Sequence, residues 1–256
     1  MIHETAIIDK SARIGKNVQI GPWSIIGPDV EIGDGTWIGP HVVIQGPTII
    51  GKDNKIFQFA SLGADSQDKK FRGEKTYLVI GDRNVIREFC TFNRGSTGEE
   101  SKTIIGNDNL FMAYVHVAHD CIIGNHTIFA NNATLAGHVI VEDFVIFSGF
   151  SGSSQFCRIG THAFITMGAM VEKDVPPFVK VAGFYAAPCG LNTVGMKRHG
   201  FAVETMLFLR RAYKTIYRKG LTVKDALVQL EQMLVECPEV SLYIDFIQQA
   251  TRGIIR

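Results

Sequence analysis

The chain holds 256 residues, with 26 lysine and arginine side chains against 25 acidic ones and 46% hydrophobic content. A net charge of +1 gives no general attraction to nucleic acid or to an anionic membrane. No run of about 18 apolar residues exists to span a bilayer, the opening MIHETAIIDKSARIG lacks the apolar core of a signal peptide, and five cysteines without a Cys-x-x-Cys pair argue for a reducing, cytoplasmic setting.

From Ile2 an aliphatic residue recurs every six positions, at Ile8, Ile14, Ile20, Ile26, Ile32, Ile38, Ile44, Ile50, Ile56 and Leu62, in most repeats followed by glycine. The rhythm resumes at Ile80, Ile86 and Phe92, then at Ile105, and continues to Val171 with a lapse at Ser153. A period of six fits neither an α-helix nor a flat amphipathic strand. It is the signature of a parallel β-helix, one short strand and one turn per hexapeptide. Three hexapeptides make a triangular coil of about 18 residues, and coils stack at about 4.8 Å. The aliphatic residue points inward, and the residue two before it (Ala12, Val18, Ser24, Thr36) fills a corner. Cys90, Cys121 and Cys157 hold that same place and read as packing residues. The pattern resembles the left-handed hexapeptide fold, although the period alone does not establish handedness.

Two polar insertions interrupt the prism, residues 64–77 (ADSQDKKFRGEKTY) and 95–101 (GSTGEES). Long loops on a rigid scaffold are common places for binding. Pro176 and Pro177 in DVPPF remove strand donors and are expected to end the prism, with a loop to about Met196. The period then becomes helical. FAVETMLFLRRAYKTIYRKG ends at Gly220 as a C′ residue, Thr222 caps VKDALVQLEQMLVE, and a last helix runs from about Glu239 to Thr251. The expected organisation is a β-helix over 1–190 and a small helical domain over 191–256.

The segment His-Val-Ala-His-Asp, residues 116–120, places His119 and Asp120 in the turn after Val117. At a corner the carboxylate reaches the neighbouring imidazole, a contact that fixes the tautomer and favours the imidazolium as it develops. One coil further along, Gly137 falls above His119, and Gln155 above Gly137. A base with a fixed N–H roughly 5 Å away is what acyl transfer needs: one takes the attacking hydroxyl's proton, the other receives the oxyanion. His116 and His138 extend the cluster, whereas His126, His162 and His41 read as histidines on solvent-facing corners. A zinc site of three histidines, as in the hexapeptide carbonic anhydrases, is the weaker reading, because the overall pattern and the C-terminal helices do not fit that family. No metal is expected.

The segments SQDKKFRGEKT, IGDRNVIRE, AHDCIIGN, ANNATLAGHV, QFCRIG, DVPPF, GLNTVGMKRHGF and AYKTIYRKG run along nearly the whole chain. On these the chain resembles the acyl-carrier-protein–UDP-N-acetylglucosamine O-acyltransferases that open lipid A biosynthesis. The resemblance implies a homotrimer with active sites in the grooves between prisms. It implies transfer of an (R)-3-hydroxyacyl group from the phosphopantetheine of acyl carrier protein to the sugar 3-position, with no resident cofactor. By position, His119 is the general base, Asp120 its orienting partner and the Gly137 amide the oxyanion donor. Asp68, Lys70, His116 and His138 would contact the sugar nucleotide, and Gln155, Asn192 and Arg198 the nucleotide or diphosphate. Met167 stands at the family's acyl-length ruler and implies a chain of roughly ten to twelve carbons.

The chain also departs from the family, which often has histidine where Asn93 and Ser154 stand, an acid at Val194 and arginine at His199. These departures keep a 3-amino sugar analogue open as the acceptor. The related N-acyltransferase that acts later in the pathway usually begins with a separate uridine-binding domain, whereas here the repeat starts almost at residue 1. A non-catalytic β-helix scaffold is the reading from another class, and it leaves the His119–Gly137–Gln155 column without a purpose. Lys197, Arg198, Arg210, Arg211, Lys214, Arg218 and Lys219 cluster near the first long helix, and a subset is expected to dock the acidic carrier protein.

Overall fold

Each hexapeptide turns after one inward side chain, so most strands are only two residues long. The computed structural model describes residues 1–96 and 101–256; residues 97–100, which carry most of the second expected insertion, lie outside the described residues. Among the described residues the strands assemble into three sheets of nine, eight and ten members, the faces of a left-handed prism. Face one runs from the strand Ile7–Ile8 to Met170–Val171, and face two from Arg13–Ile14 to Arg158–Ile159. Face three runs from Gln19–Ile20 to Val179–Ala182 and then adds Ala187–Leu191.

Register follows the sequence period. Ile8 pairs with Ile26, Ile26 with Ile44, and Val117 with Leu135. Ser153 does not break the ladder: it pairs with Leu135 and Val171 and is buried. The insertions appear as longer steps within one face, Leu62 to Phe92 and then Phe92 to Val117. Inside the prism Phe111, Phe129 and Phe147 stack at 5.1 and 5.0 Å, fully buried. Fully burying a side chain of this kind is worth about 1.5–3 kcal/mol, and each aromatic pair adds about 0.5–1.5 kcal/mol.

The corners hold more than small residues. Asn54, Asn84 and Asn109 form a buried ladder: each side-chain amide donates to a backbone carbonyl, and the side-chain oxygens of Asn54 and Asn84 accept from the N–H of the next asparagine. Cys90, Cys121 and Cys157 are buried as expected, and burial pushes the Cys90 and Cys121 thiols up to about 12. The tip of most corners takes positive φ, even at Trp23, His41, Phe59, Phe89 and Tyr114. These five rings stack into a continuous exposed or half-exposed ladder with spacings of 4.8 to 5.4 Å, which offsets the conformational cost of that backbone for bulky side chains.

Pro176 and Pro177 do not end the prism. The chain continues through Val179–Ala182, parallel to Phe164–Ile165, and then reverses as Ala187–Leu191 in antiparallel pairing. Four α-helices follow: α1 (Thr193–Arg198), α2 (Val203–Tyr217), α3 (Val223–Glu231) and α4 (Ser241–Gln248). α1 occupies what the sequence reads as the end of a loop. α2 stops at Tyr217 with Arg218 as its C-cap, so Gly220 lies two residues past the cap rather than at C′. Thr222 does cap α3, accepting from the Asp225 N–H, but α3 closes at Glu231 and a short 3₁₀ turn, Pro238–Val240, leads into α4. The helices are fixed to the prism by Tyr243 against Phe178 and by the Arg158 guanidinium over Phe246. Among the described residues no helix is long and apolar enough to cross a membrane.

Candidate active site

The strand His116–Val117 on face one delivers the chain to a corner where His119 and Asp120 are placed by the turn itself, Asp120 with φ 58°. His119 Nδ1 is 2.8 Å from Asp120 Oδ2, which leaves Nε2 as the second ring nitrogen. Both residues are held by the stack: the His138 N–H donates to the His119 carbonyl, and the Asp120 N–H to Thr103 Oγ1. Burial acts to raise the Asp120 carboxyl, but hydrogen bonds from His119 and Ser96 and the nearby His138 outweigh it and hold the group below its usual value.

One coil above, Gly137 lies against the imidazole. A Cβ at that position would sit 2.5 Å from His119 Cε1 and 2.7 Å from Nε2, so only glycine lets the ring occupy its place. Among the described residues the Gly137 N–H makes no hydrogen bond within the chain. Gln155 follows on the next coil, its neighbour Phe156 donating to the Gly137 carbonyl. His138 stands edge-on to His119 at 5.2 Å and stacks on Phe156, with Nε2 3.6 Å from Asp120 Oδ2. Burial, with His119 adding to it and Asp120 and Asp68 opposing, keeps the His138 imidazole below its ordinary value. His116 pairs through Nδ1 with Thr91 Oγ1 at 2.7 Å, and burial lowers it too.

The first insertion supplies the facing wall. Gln67, Asp68, Lys69 and Lys70 enclose a pocket of about 510 Å³ with Ala118, His119, Ala136, Gly137 and Gln155. The base of this insertion is pinned by the buried Arg94, whose guanidinium reaches the Gly46 and Gly63 carbonyls and the Asp65 carboxylate. Asn93 donates to the Asp65 carbonyl at 2.8 Å, and Gln67 Nε2 approaches the Asn93 side-chain oxygen at 3.5 Å. The departure at Asn93 therefore ties the insertion to face one. His119, Asp120 and His138 each offer one ligand atom within a shared 4.8 Å, and the bond between His119 Nδ1 and Asp120 Oδ2 occupies one atom of each.

Other residues singled out from the sequence lie elsewhere. Asn192 is buried as the N-cap of α1, accepting from the Gly195 N–H and donating to the His162 carbonyl. Arg198 is exposed at the end of α1. Met167 is 73% exposed on the corner between faces three and one, whereas His119 occupies the corner between faces one and two. His162 is not on a solvent-facing corner: Phe144 and Phe178 stack on it, Phe201 and His199 meet it edge-on, and burial pushes it down to about 4. Sequence reasoning missed Gln67, Arg94 and Ser96. Arg94 and Ser96 border a long insertion, and no repeat spacing connects them to the corner they serve.

Comparison with known proteins gives a consistent picture. The family model described as UDP N-acetylglucosamine O-acyltransferase, domain 2, matches residues 174–255, and the bacterial transferase hexapeptide model matches 29–64 and 102–137. The chain is similar to acyl-(acyl-carrier-protein)–UDP-N-acetylglucosamine O-acyltransferases from Stenotrophomonas maltophilia (55% identity, 100% of this chain and 97% of the relative) and Thiobacillus denitrificans (56%, 100% and 99%). Its structure is similar to LpxA from Acinetobacter baumannii, with a TM-score of 0.98 at 49% identity, covering 100% of this chain and 99% of the other. The UDP-N-acetylglucosamine acyltransferase of Francisella novicida gives 0.97 at 43% identity, covering 100% and 94%.

Proposed function

Because the chain belongs to the acyl-(acyl-carrier-protein)–UDP-N-acetylglucosamine O-acyltransferase family, the UDP-N-acetylglucosamine acyltransferases of lipid A biosynthesis, we propose that His119, Asp120 and Gly137 carry its acyl transfer. The donor is an acyl thioester on acyl carrier protein, and the acyl group is an (R)-3-hydroxyacyl chain. The acceptor is the sugar 3-hydroxyl. His119 Nε2 takes the hydroxyl proton as the oxygen attacks the thioester carbonyl. The Gly137 N–H receives the oxyanion of the tetrahedral intermediate. Collapse breaks the carbon–sulfur bond, and the imidazolium returns the proton to the departing thiolate. Asp120, ionised across the working range, holds Nδ1 protonated and stabilises the imidazolium between these steps.

The observation that carries this reading is the contact of the His119 ring with Gly137 in a pocket walled by Gln67–Lys70. In this reading Asp68, Lys70, His116 and His138 hold the sugar nucleotide beside the base. Gln155, Asn192 and Arg198 serve the nucleotide or diphosphate; Arg198 and Asn192 lie outside the pocket lining, which favours their supply from a neighbouring prism of a homotrimer. The exposed ladder from Trp23 to Tyr114 supports association with further copies. In this reading a subset of the basic residues near α2, among them the exposed Arg210, Arg211 and Lys214, docks the acidic carrier protein.

His119→Ala tests the assignment. It is expected to fold and to lose about 10²- to 10⁴-fold in kcat, the usual contribution of a general base. Turnover near wild type at saturating substrate removes His119 from the mechanism. Running the same assay with UDP-N-acetylglucosamine and with its 3-amino analogue decides the acceptor atom.

A further inference from the structure

We propose that Ser96, at the start of the second insertion, is a positioning residue that holds the Asp120 carboxylate in the orientation His119 requires. This inference rests on the assignment of His119 and Asp120 made above. Ser96 is 3% exposed, and its Oγ donates to Asp120 Oδ2 at 2.6 Å while its N–H lies 3.0 Å from both carboxylate oxygens. Together these contacts fix the plane of the carboxylate, which a lone hydrogen bond to His119 does not do.

The need for such a clamp comes from a rival. Two imidazoles compete for Asp120 Oδ2, His119 Nδ1 at 2.8 Å and His138 Nε2 at 3.6 Å. A small turn of the carboxylate would exchange one for the other and leave His119 free to rotate or change tautomer. The Ser96 hydroxyl approaches the same oxygen from the insertion and restrains that turn. Nor is the hydroxyl needed to keep the insertion in place. Before Ser96 the chain is already tied by the Gly95 N–H to the Tyr77 carbonyl, by the Arg94 N–H to the Ala64 carbonyl, and by the Arg94 guanidinium to the carbonyls of Gly46 and Gly63.

The experiment measures kcat, the KM of each substrate and the melting temperature for wild type, Ser96→Ala, Ser96→Thr and His119→Ala in the full-length protein. Ser96→Ala is expected to lower kcat roughly ten- to a hundred-fold, the scale of one hydrogen bond to a charged group. Both KM values should stay within about twofold, since the contact is to Asp120 and not to substrate. Ser96→Thr, which keeps the hydroxyl, should recover most of the rate. A wild-type kcat in Ser96→Ala overturns the proposal, as does a loss that falls on KM or melting temperature and is not rescued by threonine. A dead His119→Ala beside a fully active Ser96→Ala overturns this proposal alone, whereas turnover surviving in His119→Ala overturns the underlying assignment and this proposal with it.

Discussion

At Gly137 the requirement for glycine comes from a neighbour rather than from the backbone. Its φ lies outside the left-handed region, so alanine suits the local chain, but the added methyl would press on three atoms of the His119 ring. That ring is buried and bonded to Asp120, and it has no second place to go without losing that bond. Gly137→Ala is therefore expected to fold and to lose at least about a hundred-fold in kcat, because it displaces the proposed base and crowds the proposed oxyanion donor at once. Kinetics beside a melting curve separate the two effects; a near-normal kcat would mean that the ring and the coil above it relax apart at no cost to catalysis. The same contact explains why a column of His119, Gly137 and Gln155 was readable from the chain. A rigid coil converts a separation of one repeat into a distance, so stacked residues announce themselves.

Elements that interrupt the repeat do not. At the corner of His126, Phe144, His162 and Phe178 the rings stack at 5.0, 4.7 and 5.6 Å, and α1 with the residues after it lays His199 and Phe201 across them. The His162 Nδ1 is buried without a hydrogen-bond partner, and burial, helped by His199 and opposed by Asp143, brings the group to about 4. An unfolded histidine takes its proton near 6.5 and this folded one resists until about 4, so the stability it contributes is complete above 6.5 and is lost as the pH falls to 4. The full effect is about 3 kcal/mol. His162→Phe keeps the stack and removes the titration, so its melting temperature should fall less between pH 7.5 and pH 5 than that of wild type; parallel curves would place the acid sensitivity elsewhere. The sequence made the strands, their register and the outer limits of the first insertion legible, because Ile8, Ile26 and Ile44 repeat without exception. It did not disclose His162's burial, which depends on helices folding back over a corner. Nor did it disclose the Asn54–Asn84–Asn109 ladder, whose members the insertions push off the regular spacing, or Ser96, which reaches Asp120 from outside the repeat.

For the whole molecule, Met167 poses the largest question, since it stands on a different corner of the prism from His119. The two residues stand on opposite corners of face one, and the steps from His116 to Thr134, Gly152 and Met170 put Met167 about three rungs, roughly 14 Å, along the axis from the base. Met167 is 73% exposed, Phe150 61% and Phe156 51%, a set of large apolar side chains at the upper end of that face that the described residues leave open. A second prism laid against face one would turn this open surface into a groove with the base at one end and the methionine toward the other. An extended hydrocarbon advances a little over 1 Å per carbon, so in the proposed groove about ten to twelve carbons would span the gap before the thioether stops further growth. Met167→Gly removes that stop while leaving His119, Asp120 and Gly137 untouched. Each further methylene then buried is worth about 0.8 kcal/mol, or roughly fourfold in kcat/KM, so the optimum should move toward donors two to four carbons longer as an order-of-magnitude shift. Comparing kcat/KM over a ladder of hydroxyacyl carrier proteins in both forms measures it. An identical length profile would show that the chain ends elsewhere and that Met167 only packs between copies.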